Sequence, residues 1–370
     1  MFHKATRKIV KEIDPYGFTL IPAASPYYSD CYKPLNIIKK KKRAFFFMKD
    51  RYIPTSITVA DILEDGKDLD FGLGSSSFSG YSASSQISVS GEVGAKAGVA
   101  ANVQQELSFP GGTTIAFKVS KLRITRDNTL DVDWEHVVMS RQQVSSHERP
   151  KIPLTEINTM SKETSLLFLN TFLEILGNCD YLPVLDTMLD QICGSLQPDL
   201  QVLDRMEDEN RACVEKLLDL LGIRKADPPG QPLTLTPRQN GIIKTVNIFI
   251  ESLNELNPDV LILLANSVEM KIISIQMKLF EKIEENFFLS TEPRMEMKAI
   301  GEVQETEETM ETLALQLSDK GFEITQRILE EFELHLMNKN GSISYEKDYG
   351  DRNVFFSIFA ALSILSALDK

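Results

Sequence analysis

Histidine, tryptophan and cysteine are scarce in this chain of 370 residues, and each scarcity removes a class of function. The four histidines (His3, His136, His147, His335) are scattered, without the HExxH spacing of a helical metal site. The four cysteines (Cys31, Cys179, Cys193, Cys213) show no CxxC pair and have no histidine nearby. That pattern suits free thiols in a reducing compartment rather than a disulfide framework or a zinc site. No run approaches 18 uncharged apolar residues, so no transmembrane helix is expected. The opening MFHKATRKIVKEI has no apolar core, so no secretory signal is expected there. Gly72-Leu73-Gly74 followed by serines lacks the third glycine and the lysine of a phosphate loop. Asp131, Asp133 and Glu135 alternate along a strand and read as a solvated acidic face. Trp134 reads as a packing anchor. No enzyme, no cofactor and no metal site is expected.

What is present is a long alternation and a lopsided charge. From Ile87 to Val103 apolar residues or glycine occupy every second position, with Ala100 the one exception between them. A period of two places the two sets on opposite faces of a strand. Seventeen residues exceed an ordinary strand of five or six. Folded back near Gly94-Ala95-Lys96, the run becomes two strands of about nine residues, the length that a tilted membrane strand needs. Two readings stand: a long hairpin in a soluble sheet, or a barrel wall between lipid and lumen. On the second, Ile87, Val89, Val93, Ala95, Ala97, Val99, Ala101 and Val103 face lipid.

The net charge of −13 divides unevenly. Residues 1–150 carry 20 basic and 16 acidic side chains, whereas residues 151–370 carry 20 and 37. Such a basic front and acidic rear attract one another. Residues 2–13 read as a short amphipathic helix with Lys4, Arg7, Lys8 and Lys11 on its basic side. Lys39-Lys40-Lys41-Lys42-Arg43 sits between expected strands at Leu35–Ile38 and Ala44–Met48, with Lys49 and Arg51 following. The tract allows three readings: a solvated patch, a nucleic-acid or nuclear-localisation patch, or contact with an anionic leaflet. Each cation near such a leaflet is worth about 1 kcal/mol. The acidic total disfavours nucleic acid.

Further strands are expected at Phe18–Pro22, Ser56–Val59, Thr113–Thr125 and Leu130–Val138. Residues 72–85, rich in Gly and Ser, are expected to be irregular. Residues 139–161 are polar and aperiodic and read as a linker. Helices are expected at 163–177, 182–194, 199–222, 237–256, 259–289, 303–317, 322–338 and 351–368. The fold class is thus an α+β N-terminal domain (1–138) with a twisted antiparallel sheet and a long hairpin. A linker (139–161) leads to an all-α C-terminal domain (162–370).

Taken together these residues resemble the gasdermin family. The resemblance lies in Met1-Phe2-His3-Lys4-Ala5-Thr6-Arg7, Lys11-Glu12-Ile13-Asp14, the 39–43 tract with its following aromatics, and Tyr52 with Ser56–Leu63. Pro110–Val119, Glu269–Phe287 and Phe355–Leu368 extend it. It implies an N-terminal domain that binds acidic phospholipids, oligomerises and forms a β-barrel pore. It also implies a helical domain that holds the first inactive until a protease cuts the linker. The protein would be cytoplasmic when inactive and at the plasma membrane when active, in pyroptosis-type lytic death. Lys4, Arg7, Lys8, Lys11 and the 39–43 tract take headgroup roles, with Lys49 and Arg51 expected to join them, and the 85–105 hairpin takes insertion. The front half departs from the family in being short, and a second hairpin is hard to place. A lipid-binding or interaction protein without pore activity is therefore the alternative. No Asp lies between Trp134 and Lys162 to serve a caspase, which leaves Arg141, Arg149 and Lys151 for a trypsin-like protease.

Overall fold

The computed structural model describes residues 6, 9, 10, 14, 20–32, 36–41, 45, 51–55, 71–79, 84–92, 102–110, 113–124, 130–136, 151–223, 232–287, 309–332, 334–339, 342–347 and 352–369. The N-terminal region is built on antiparallel strands: β1 (Ile21–Pro22), β2 (Ile37–Lys41), β3 (Arg51–Pro54), β4 (Phe71–Ser79), β7 (Thr114–Ile124) and β8 (Leu130–His136). They form one sheet in the order β1-β7-β4-β2-β3, with β8 also paired to β7. A separate two-stranded ladder joins β5 (Ser84–Glu92) to β6 (Asn102–Pro110).

The glycine- and serine-rich stretch is not irregular: Phe71–Ser79 forms β4, and Ser84 opens β5. Pairing on both sides, to β2 and β7, supplies the order that composition does not. Bulges at Gly74/Ser76 and Phe78/Ser79 interrupt the β4–β7 register. The paired residue numbers total 193 or 194 from Gly72↔Lys121 through Glu92↔Asn102, so the β4–β7 and β5–β6 ladders are in phase. The hairpin has the expected nine-residue arms, and the fold-back expected near Gly94-Ala95-Lys96 falls on residues that are not described. Residues 93–101 lie outside the described residues.

Helices dominate the rest: α1 (Thr155–Asn158), α2 (Lys162–Gly177), α3 (Leu182–Cys193), α4 (Asp208–Leu220), α5 (Pro237–Glu255), α6 (Pro258–Glu269), α7 (Ile273–Phe287), α8 (Met310–Leu315), α9 (Asp319–Glu330) and α10 (Arg352–Leu368). Thr236 starts α5 with a reciprocal capping box to Gln239 and Pro237 at the first helical position. The expected helix at 259–289 is broken between α6 and α7, where Lys271 takes φ +55°. The one expected at 199–222 is a 3₁₀ turn (Leu200–Arg205) followed by α4.

The expectation of an all-α second domain needs a correction. The helix foreseen at 322–338 ends at Glu330, and β9 (Leu334–Lys339) pairs with β10 (Ser342–Lys347). The two strands are joined by Asn340-Gly341, the strongest short hairpin signal. The α10 sequence FFSIFAALSILSAL is buried on nearly every side, with Phe355, Phe356 and Phe359 among the largest enclosed side chains. Phe280 stacks on Phe355 at 5.4 Å. One apolar cluster joins this helical core to Ile21, Tyr28, Tyr32, Ile38, Tyr52 and Phe117 of the front half.

Candidate functional site

The seam between the two halves is built on strand β2. A strand sends alternate side chains to one side, and here Lys39 and Lys41 both meet the helical half. The expected placing of the lysine tract between strands is therefore corrected: its first three lysines belong to β2. Two turns supply the partners. Asp186 and Asp190 lie four residues apart on α3, and Asn247 and Glu251 four apart on α5, so each pair shares a helix face.

Lys41 Nζ donates to Asp186 Oδ1 at 2.6 Å and to Asn247 Oδ1 at 3.3 Å, and lies 2.6 Å from Glu251 Oε1. The Asp186 carbonyl stands 3.5 Å away. Asn247 Nδ2 in turn donates to Glu251 Oε1 at 3.0 Å. The side chains of Lys41, Asp186 and Glu251 are 4%, 3% and 5% exposed. Burial pushes the Lys41 pKa down, but the carboxylates of Asp186, Glu251 and then Asp190 outweigh it and hold the ammonium above its ordinary value. Lys39 Nζ donates to Asp190 Oδ2 at 3.1 Å at the rim of this cluster. Further along, Arg205 pairs with Asp30 at 3.5 Å and donates to the Tyr27 carbonyl at 3.3 Å, both in the open.

Aromatics fill the seam beside the charges. The 3₁₀ segment Pro26–Tyr32 contributes Tyr28 and Tyr32, both buried, and Tyr32 stacks on Phe117 at 4.5 Å. Burial and, for Tyr28, the nearby Asp199 carboxylate hold both phenols above their usual range.

The other expected site residues fall as follows. The backbones of Lys40 and Arg51 are described on β2 and β3. Lys4, Arg7, Lys8, Lys11, Lys42, Arg43 and Lys49 lie outside the described residues. Thr6, Ile9 and Val10 are helical. Thr6 Oγ1 donates to the Ala23 carbonyl, and Val10 packs with Leu20 and Ala116. Among the described residues, Thr6 and Val10 thus contact the front half, and Lys39 and Lys41 meet the acidic half. Ile87, Val89 and Val103 occupy ladder positions opposite Leu107, Gln105 and Gly91. Val93, Ala95, Ala97, Val99 and Ala101 lie outside the described residues, as do Arg141 and Arg149. Lys151 is exposed, but the chain after it is pinned: Thr245 Oγ1 donates to the Pro153 carbonyl at 2.6 Å, and Ile157 is buried.

Sequence reasoning foresaw an attraction of basic front for acidic rear. It missed Asp186, Asp190, Asn247 and Glu251, whose i,i+4 spacing looks like that of any helix surface.

Residues 1–108 match the family model of the gasdermin pore-forming domain. Pejvakin of Homo sapiens is 28% identical over 174 residues, which cover 45% of this chain and 49% of that protein. Pejvakin of Mus musculus is 34% identical over 91 residues, 25% of this chain and 26% of that protein. The chain thus spans about half, or less, of the length of these relatives.

Proposed function

We propose, from the match of residues 1–108 to the gasdermin pore-forming domain, that the chain is an autoinhibited membrane-permeabilising protein of that family. The front half binds acidic phospholipids through its lysine tract once the helical half no longer occupies it. The helical half is the inhibitor, and the observation that carries this reading is Lys41, buried between Asp186 and Glu251. A lysine so enclosed cannot meet a headgroup, so lipid contact and the closed seam exclude one another. Severing residues 139–151 removes the tether and leaves the seam as a bimolecular contact. Released front halves then assemble on the membrane, where pairing between hairpins satisfies the backbone groups that lipid cannot. Insertion falls to the 84–110 hairpin, whose two nine-residue arms have the length a tilted membrane strand needs. On this reading the protein rests in the cytoplasm, acts at the plasma membrane and ends in lytic cell death.

The test uses the full chain with a specific protease site inserted between residues 141 and 149, and dye-loaded vesicles containing anionic lipid. Release is expected after cutting and not before, and not from neutral vesicles. Complete cutting with vesicle binding but no release would replace pore formation with the second reading, a lipid-binding module. That reading is favoured by one observation: among the described residues the front half has one such hairpin separate from its sheet.

A further inference from the structure

We infer that the seat holding Lys39 and Lys41 is a receptor for paired primary ammonium groups, and that a free alkyl diamine takes it when the strand leaves. The inference rests on the seam reading above, but its test involves no membrane.

The seat's chemistry selects the ligand. A primary ammonium carries three protons, and three side-chain oxygens converge on Lys41 Nζ: Asp186 Oδ1 and Glu251 Oε1 at 2.6 Å and Asn247 Oδ1 at 3.3 Å. A planar guanidinium fork does not match three oxygens gathered around one point. A calcium or magnesium ion asks for six or more oxygens at shorter range, and among the described residues no cluster of metal-ligating side chains is found. The ammonium in place is itself the proof of fit.

A second seat adjoins the first. Asp190, one turn along α3 from Asp186, holds the Lys39 ammonium at 3.1 Å. Residues two apart on a strand are about 6.6 Å apart, and residues four apart on a helix about 5–6 Å. An extended four-carbon diamine spans a similar distance, so its two ends can meet both carboxylate groups at once.

All three acceptors of the inner seat belong to the helical half. When β2 departs, the Lys41 ammonium leaves its place 2.6 Å from both Asp186 Oδ1 and Glu251 Oε1. A soluble diammonium ion restores that contact. An occupied seat does not readmit Lys41, so the ligand shifts the population toward the open state by mass action.

The experiment uses the full-length Lys39→Ala/Lys41→Ala variant, whose thermal midpoint is followed as 1,4-diaminobutane is added. Butylamine and sodium chloride at matched ionic strength are the comparisons. The expected result is a dose-dependent rise with the diamine, with affinity at least about tenfold tighter than for butylamine because two contacts share one tether. The unaltered chain shows no rise, because Lys41 fills the seat in its closed state and the diamine binds only the open one. Adding Asp186→Asn to the double variant abolishes the response. Should the double variant fail to fold alone, recovery of a monomer on refolding in diamine supports the receptor, and no recovery overturns it. A folded variant that ignores the diamine, or responds equally to salt, also overturns it. Failure here leaves vesicle leakage as the separate judge of pore formation.

Discussion

Lys41 and Lys39 stand two positions apart with different surroundings, and the difference sets what each contributes. Removing one member of a buried ion pair strands the other charges and costs about 3–5 kcal/mol. Lys41→Ala is expected to lower stability by that order in denaturant titrations. Lys39 is 25% exposed, and its pair with Asp190 is worth about 1 kcal/mol or less, as for other ion pairs that solvent reaches. A variant series in which Lys39→Ala costs as much as Lys41→Ala would contradict the burial argument.

The pH dependence has a definite sign. The folded-state pKa of Lys41 is raised, so its contribution is fully present below the ordinary lysine value and lost as pH rises through the folded one. Cys193, near the same cluster, has its thiol pushed up to about 11, chiefly by burial. A raised thiol also stabilises the fold below its ordinary value and ceases to as pH climbs through about 11. Neither group therefore weakens the seam between pH 7 and 8, and both do in strong alkali. Alkylation of Cys193 at pH 8 should be much slower than that of an unfolded-chain thiol, because little thiolate forms.

At the scale of elements, two positions in the left-handed region make opposite forecasts. Gly222 ends the segment after α4 at φ +75°, and a Cβ there would lie 2.8 Å from Gln239 Nε2. Gly222→Ala is expected to cost about 1–2 kcal/mol. Lys271 holds φ +55° with a side chain, so Lys271→Gly is expected to change stability by no more than about 1 kcal/mol, in the stabilising direction. Equal destabilisation by both would show that the turn backbones are not what limits them. Element type was legible wherever periodicity and caps coincided. Ser161, Thr236 and Ser318 each accept from a backbone amide within the first turn of the following helix. Element type was misread where a neighbour decides. Phe71–Ser79 has flexible composition, yet it lies between two partner strands. Leu334–Lys339 has apolar residues that fit a helix, yet it pairs with Ser342–Lys347 as a strand.

At the scale of the whole molecule, one contiguous apolar cluster and one buried charge cluster join the halves. Opening the seam exposes the tyrosines of the 3₁₀ segment together with Lys41. A full-length Asp186→Asn/Glu251→Gln variant keeps side-chain size and removes both carboxylates. It is expected to sediment with anionic vesicles uncut, where the unaltered chain stays in the supernatant. The sedimentation should fall with added salt, as screening weakens headgroup attraction. Sedimentation of the unaltered, uncut chain to the same extent would mean that the seam does not regulate lipid contact.

The sequence by itself determined the division into a basic strand-forming front and an acidic helical rear, the nine-residue arms of the hairpin and the likeness to gasdermins. These follow from local alternation, caps and net charge, which need no knowledge of distant neighbours. Only the tertiary structure decided that Lys41 is buried against the acidic half. Three oxygens drawn from two helices more than 140 residues away converge on its ammonium, and burial there turns an ordinary lysine into one held in place.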